Sequence, residues 1–543
     1  MTQPDPTPAM PRAQRRRVSK RLRRRRRLVI SLATVLALIV LIGAGSYLYI
    51  RYRFGQIGHV SVGGLTAQSS GPENILLVGN NSRCTLTKYS SFYSKGSQHF
   101  GTCSEVGGGR SDVTMVLHVD PATHRAYLLS IPRDLWLPMP NGNGLELRVD
   151  DALNSAERPY LHLPFGPTLL VKTIEQDLGI PINHYVELNF YTFEQVVNTL
   201  GGVTLDFPTK LVDHYSGLNI TTTGCQHLTG TQALALVRAR HLYYYNPSTG
   251  TWDYDGTGDL GRIVRTHIFL RALASQVKSS ALSNPITANA LLGSLLPALK
   301  VDPSFSLSDM VSLALAFRHV NPGSIPSATL PVIIPSQSTF TDPANPSNYQ
   351  APGSIVMPWA QSDLSVIRQF LGSEAPNLNA IRPASVTVAV RDASGVGNGS
   401  QLVAGLSQLG FPTTNLGTAT YAGTDSETVV AYKPGMLAQG ERVLASLSGQ
   451  AVLAEGSANQ PADVVITAGS TIATTATSAQ TAALTTTSAP TATLTATSTT
   501  TPPVGTLVTS TQSLQQLASS NLWQANASGS EFWWDPRLCP AHA

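Results

Sequence analysis

The hydrophobic pattern changes period several times along the chain. Leu28–Ile50 is an apolar run of 23 residues with no charge, long enough as a helix to cross a bilayer. Beyond it, short apolar runs alternate with longer amphipathic ones. Asn74–Val78, Asp112–Val119 and Ala126–Ile131 read as strands, and the first is the unbroken apolar type expected when both faces are covered. Helical periodicity marks Pro167–Leu178 and Thr192–Leu200, and strand patterns mark His184–Leu188 and Val203–Phe207. Residues 262–320 are mostly helical, with breaks at Asn284-Pro285 and Asp302-Pro303. This alternation predicts an α/β layered domain.

A second, smaller α/β domain is predicted from Val386–Val390, Gln401–Leu409, Thr428–Tyr432, Met436–Leu447 and Asp463–Thr467. Its loop Gly395-Val396-Gly397-Asn398-Gly399 is not a dinucleotide fingerprint, because Ser400 stands where the third glycine is required. Residues 464–530 contain no charge, and 471–512 are dominated by Thr, Ser and Ala. That composition predicts a disordered spacer, which leaves Trp523, Trp533 and Trp534 in an unstructured tail.

Charge changes the picture at the N-terminus. Residues 1–27 carry eleven Lys or Arg against one acid, Asp5, so the net +5 conceals a remainder of 26 bases and 31 acids. Only Arg51 and Arg53 follow the apolar run closely, which places the N-terminus in the cytoplasm and the rest outside. A basic run abutting an apolar span reads as a topology signal, and no nucleic-acid partner is expected. The apolar run continues through Tyr47-Leu48-Tyr49-Ile50, which favours a retained anchor over a cleaved signal. Of the four cysteines, Cys84 and Cys103 bracket a Ser-, Tyr- and Gly-rich loop and are candidates for a local disulfide. Cys225 and Cys539 are left unassigned.

The candidate chemistry lies in Gly224–Leu273. A helical run ends at Arg238-Ala239-Arg240-His241, and Asp259-Leu260-Gly261-Arg262 opens a second helix that carries Arg265. On one continuous helix Arg238 and Arg240 diverge. If the helix stops near Val237 and the chain extends, period two brings both guanidinia to one side. Asp259 suits an N-cap with Arg262 in the first turn, and that helix start favours an anion. Singly, each arginine reads equally well as half of a surface ion pair. Together they predict an anion site with a metal. His118, His184 and His241 read as packed or surface residues.

The ordered set Asn74–Arg83, Arg110-Ser111-Asp112, Ser130-Ile131-Pro132-Arg133-Asp134, His184–Val203, Arg238-Ala239-Arg240 and Asp259–Arg265 resembles the LytR–CpsA–Psr (LCP) family. Residues 384–468 resemble the LytR C-terminal domain through a strand, the glycine loop and Leu409-Gly410-Phe411-Pro412. The resulting division is a basic cytoplasmic segment (1–27), a transmembrane helix (28–50), a linker (51–72) and an LCP-like catalytic domain (73–320). A linker (321–383), the C-terminal-like domain (384–468) and a low-complexity tail (469–543) follow.

The resemblance implies transfer of a glycopolymer from a polyprenyl-diphosphate carrier to peptidoglycan. It implies that Arg133, Arg238, Arg240 and Arg262 hold the diphosphate, supported by Arg83, Arg110 and Arg265. Guanidinium forks suit phosphate oxygens. Asp112 matches a magnesium ligand, and Asp259 matches the partner of the arginine that follows it. Two positions depart from the family. Asn81 stands where Asp is usual, so a metal ligand loses its charge, and Thr266 replaces a common Gln. Asp134 or Asp112 is the candidate proton acceptor. The competing readings are a lipid-diphosphate hydrolase and a non-catalytic, membrane-tethered wall-binding or regulatory protein. A wall-binding module has no need of a phosphate clamp.

Overall fold

The computed structural model describes residues 12–67, 71–81, 109–140, 145–153, 163–281, 284–334, 355–419, 427–475, 522–523 and 532–540. It separates into two compact units, one ending at Ile57 and the other beginning at Gly58. Among its described residues the first unit holds one helix, α1 (Arg12–Phe54). Within it Val29–Phe54 spans 26 residues and is long and apolar enough to cross a membrane.

The second unit is built on a seven-stranded mixed sheet. Its strands are β1 (Gly58–His59), β2 (Glu73–Asn80), β3 (Ser111–Asp120), β4 (Arg125–Ile131), β5 (His184–Asn189), β6 (Lys300–Val301) and β7 (Ser327–Thr329), in the order β1-β6-β5-β2-β3-β4-β7. β2 lies in the middle, antiparallel to β3 and parallel to β5. Ile75 and its neighbour Leu76 are both buried, so side chains of opposite parity are covered, as the unbroken apolar run predicts. Two expected linkers prove to be structural. Within 51–72, β1 pairs with β6, and Val60, Val62 and Leu65 pack on the main core. Within 321–383, β7 extends the sheet beside β4, and Ala360–Leu371 is a helix.

Four helices frame the site: α2 (Pro167–Leu178), α3 (Phe190–Thr199), α4 (Gly230–Arg238) and α5 (Gly258–Gln276). α2 starts on a proline in its first turn and stops at Gly179, whose φ of 67° is a left-handed cap. α4 starts with a reciprocal capping box between Thr229 and Gln232. The N-cap of α5 is Thr257, not Asp259, and its side chain makes no cap bond. Asp259 sits inside the first turn, where its carboxylate turns to Arg262 instead.

The C-terminal region has its own core, with Val388, Leu402, Phe411, Val430, Val443 and Ile466 all buried. Its five-stranded sheet runs Thr413–Thr418, Val388–Asp392, Val464–Ala468, Thr428–Tyr432, Ala451–Glu455. Tyr432 donates its hydroxyl to the Gln176 carbonyl of α2 at 3.1 Å, which ties this domain to the first.

The end of the chain departs from the expected unstructured tail. Phe532–Pro540 returns to the first domain, where Arg537–Leu538 pairs with Val203–Phe207 and Cys539 is disulfide-bonded to Cys225. Trp534 stacks on Tyr244 with ring centroids 4.1 Å apart. Long-range pairing with a strand and a ring is invisible to local composition. Cys84 and Cys103 lie outside the described residues.

Candidate active site

A cleft with about 940 Å³ of space, open to solvent, lies between the sheet and helices α3, α4 and α5. Its floor is Leu77, Val113 and Met115 from β2 and β3, where Leu77 and Met115 are cross-strand partners. Gly79 belongs here for a steric reason, because a Cβ would meet the Val113 Cβ at 2.9 Å. Phe193, Leu234, Val237 and Leu270 supply the helical walls. Arg133, Arg238, Arg240 and Arg262 also line it, and Asp112 is the one carboxylate that does so among the described residues.

Arg133 is the electrostatic hub. Its Nη1 donates to Asp112 Oδ1 at 2.6 Å, and its guanidinium lies 3.5 Å from Asp134, 3.6 Å from Asp259 and 4.0 Å from Asp150. Burial opposes its charge, but these carboxylates raise its pKa well above the ordinary value. Burial also opposes ionisation of Asp112, yet Arg133, Arg262, Arg240 and a hydrogen bond from Asn81 hold its pKa down. Arg240 is the exception. Burial and the nearby Arg133 push its pKa below the usual arginine value, against the pull of Asp259 and Asp112. A buried guanidinium held at that disadvantage favours a bound anion.

The Arg238–Arg240 turn is built as the extended-chain reading requires. α4 ends at Arg238, and Ala239 is extended with φ −65° and ψ 115°. Asp213 Oδ2 accepts the backbone N–H of Arg240 at 2.8 Å and of His241 at 2.9 Å. Arg262 is held by Asp259 through two contacts, at 2.8 and 3.1 Å. Thr266 lines the cleft, and its hydroxyl donates to the Arg262 carbonyl at 2.8 Å, so its polar atom is spent on the helix.

Other expected site residues lie elsewhere. Arg265 is fully buried, donating to Asp255, Asp535 and the Ala239 carbonyl, and does not line the cleft. Arg110 lies off the cleft, with its Nε 3.7 Å from Asp151. Asp134 is buried behind Arg133, near Arg148 at 3.9 Å, which suits a charge partner more than a proton acceptor. Arg83 lies outside the described residues. Asp150, Asp213, Asp255 and Asp535 were not singled out in the sequence. Arg148-Val149-Asp150-Asp151 carried a local signal, whereas Asp213 and Asp535 did not. His118 and His184 are packed against Asn74 and Phe305, as expected of structural histidines.

Magnesium is implied by the resemblance, and the donor set can be tested against it. Asn81 Oδ1 accepts the Arg110 N–H at 2.9 Å, which leaves its amide N–H₂ to face Asp112. The oxygen expected to coordinate is thus turned to the backbone. Among the described residues no group of three or more His, Cys, Asp or Glu is arranged to hold a metal ion, since the carboxylates around Arg133 are spread over its guanidinium. One carboxylate in a cationic cleft fits a magnesium that takes most of its oxygens from phosphate and water.

A profile of the LytR_cpsA_psr family matches residues 55–351. The chain belongs to this family. Among curated LCP relatives, "Probable cell wall biosynthesis protein LcpB" of Corynebacterium glutamicum is 32% identical over 260 residues, covering 48% of this chain and 54% of that one. "Polyisoprenyl-teichoic acid--peptidoglycan teichoic acid transferase TagU" of Enterococcus faecalis is 31% identical over 218 residues, covering 40% and 62%. The match therefore spans little more than half the length of these relatives. Among solved structures, "LytR-Csp2A-Psr enzyme from Actinomyces oris" is 22% identical, covers 58% of this chain and 95% of that one, and gives a TM-score of 0.41.

Proposed function

We propose that this chain transfers a glycopolymer from a polyprenyl-diphosphate carrier to peptidoglycan, forming a phosphodiester. The observation that carries this reading is the amphiphilic cleft, in which guanidinia crowd one carboxylate above an apolar floor and walls. A lipid diphosphate has the same division, with a doubly charged head and a hydrocarbon tail.

In this reading the tail lies on Leu77, Met115, Leu234 and Leu270, and the diphosphate meets Arg133, Arg238, Arg240 and Arg262. A hydroxyl oxygen of peptidoglycan attacks the phosphorus next to the sugar, and the bond to the bridging oxygen breaks. Polyprenyl phosphate leaves with that electron pair, and the guanidinia stabilise the charge that grows on it. Asp112 is the acceptor within the cleft for the hydroxyl proton. Asp112 would hold a magnesium ion, which would supply charge neutralisation to the diphosphate. The LCP domain stands outside the membrane in this reading, with α1 as anchor. Protease added to intact, wall-stripped cells should then digest the C-terminal region.

The test is to incubate the full chain in detergent with a lipid-diphosphate sugar and peptidoglycan oligomers. A phosphodiester-linked conjugate is expected. Release of free sugar phosphate without conjugate would make the protein a hydrolase, and binding with no turnover would overturn the enzymatic reading.

A further inference from the structure

The cleft depends on a turn, and the turn is held from behind. Where α4 stops, its last carbonyls have no helical partner. The Ala239 carbonyl, between Arg238 and Arg240, takes its hydrogen bond from Arg265 Nη2 at 3.0 Å. Arg265 is itself fully buried, so its charge must be balanced on the spot. Two carboxylates do this, Asp255 at 2.8 Å and Asp535 at 3.2 Å from Nη1. Asp255 lies ten residues upstream, but Asp535 comes from the far end of the chain and is also fully buried.

Asp535 is delivered by a short segment fastened at several points. Cys539 is bonded to Cys225, Arg537–Leu538 extends the strand pair Val203–Phe207 and Gly224–Leu228, and Trp534 lies between Tyr244 and Phe532. Asp535 also accepts the Phe532 N–H at 3.1 Å, so its carboxylate is aimed by its own turn. The segment lies outside residues 55–351, which match the family profile.

We propose that Phe532–Pro540 is a clasp that sets the Arg238–Arg240 turn, with Asp535 as a positioning residue acting through Arg265 and the Ala239 carbonyl. The proposal rests on reading those two arginines as the diphosphate clamp. With Asp535 gone, Arg265 would have one carboxylate to satisfy a buried guanidinium. Its fork would re-centre on Asp255, and the grip on Ala239 would loosen. The apolar cleft contains no clasp residue, so lipid binding should be spared.

The experiment uses the full chain in detergent with Asp535→Ala, the shape-preserving Asp535→Asn, and Arg240→Lys as a parallel control. Transfer is read as kcat and KM separately, with thermal unfolding as the folding control. Hydrogen exchange is read at the Arg240 and His241 amides. For Asp535→Ala, a fall in kcat of about tenfold is expected with KM within about twofold of wild type. At least tenfold faster exchange at those two amides should accompany it. Asp535→Asn, which keeps an acceptor, should lie between, and it carries the test if the alanine variant fails to fold. Unchanged amide exchange in a folded Asp535 variant would overturn the proposal, as would a kcat loss no larger than the loss of folded protein. If Arg240→Lys transfers normally, the clamp reading fails. If Arg240→Lys is crippled while folded Asp535 variants are not, the clasp alone fails.

Discussion

Arg262 Nη2 donates to the backbone carbonyl of Asp112 at 2.7 Å, a bond that crosses the cleft from α5 to β3. The same guanidinium is fixed by Asp259, so one side chain joins the helix start to the strand that carries Asp112. Lysine cannot reproduce a planar fork with three simultaneous partners. Arg262→Lys should therefore lower both the unfolding temperature and the transfer rate, the rate by about a hundredfold on the scale of one lost preorganised donor. A variant that melts normally would show that the bond to Asp112 is not structural.

Arg240 should behave in the opposite sense. Burial and Arg133 work against its charge, and no carboxylate among the described residues is within ion-pair distance of its side chain. Arg240→Lys and Arg238→Lys should each cut turnover by about a hundredfold or more, with the fold intact. Arg240→Gln should abolish transfer while raising the unfolding temperature by about 2 °C, as expected where function holds a destabilised charge. Transfer within about threefold of wild type in both lysine variants would rule the pair out as the clamp.

Asn81→Asp tests the metal. The variant replaces an amide donor beside Asp112 with a second carboxylate, and like charges a few ångströms apart repel by a few kcal/mol at most in such a site, about 4 kcal/mol at an effective dielectric of 20. In chelator the variant should melt below wild type. Millimolar magnesium with a diphosphate lipid should close that gap and bind about tenfold tighter than in wild type. Equal magnesium stabilisation in both proteins would remove residue 81 from the metal's surroundings.

His267 gives the pH dependence. It is buried on α5 with its Nε2 2.6 Å from Ser130 Oγ, and burial, with Arg271 nearby, lowers its pKa from 6.5 to about 3. Below about 6.5 the unfolded chain takes up a proton that the folded chain refuses until about 3. Its contribution is thus fully present above that window and is lost as pH falls through it, with a limiting slope of about 1.4 kcal/mol per pH unit. Denaturant titrations from pH 7 to 4 should show this loss in wild type and a shallower one in His267→Gln. Equal slopes would place the acid sensitivity elsewhere.

Much of this was legible because local pattern and tertiary role coincide. The apolar run at Asn74–Val78 is the central strand, and the two-residue spacing of Arg238 and Arg240 converges once α4 stops. Arg265 stands behind the cleft and not in it, for a physical reason. Three residues after Arg262 it rises on a neighbouring line of the helix, but a rotation of about 60° is enough to aim it into the core. The Pro-, Ser- and Asn-rich stretch after residue 320 hid β7, whose three residues are held by parallel pairing with β4 and not by any alternation of their own. Asp535 had no local signal, since its partner is 270 residues away.

Cys225 is synthesised 314 residues before the cysteine it pairs with. At about 5–20 residues per second, that separation is roughly 15–60 s of chain growth. The central sheet can assemble early in that interval, but the second carboxylate of Arg265 arrives only at its end. On the proposed role of Asp535, a growing chain carries a folded LCP domain whose Arg238–Arg240 turn is not fully set until Asp535 emerges. On that same role, the length of the uncharged Thr-, Ser- and Ala-rich stretch sets how long the turn waits for its second carboxylate.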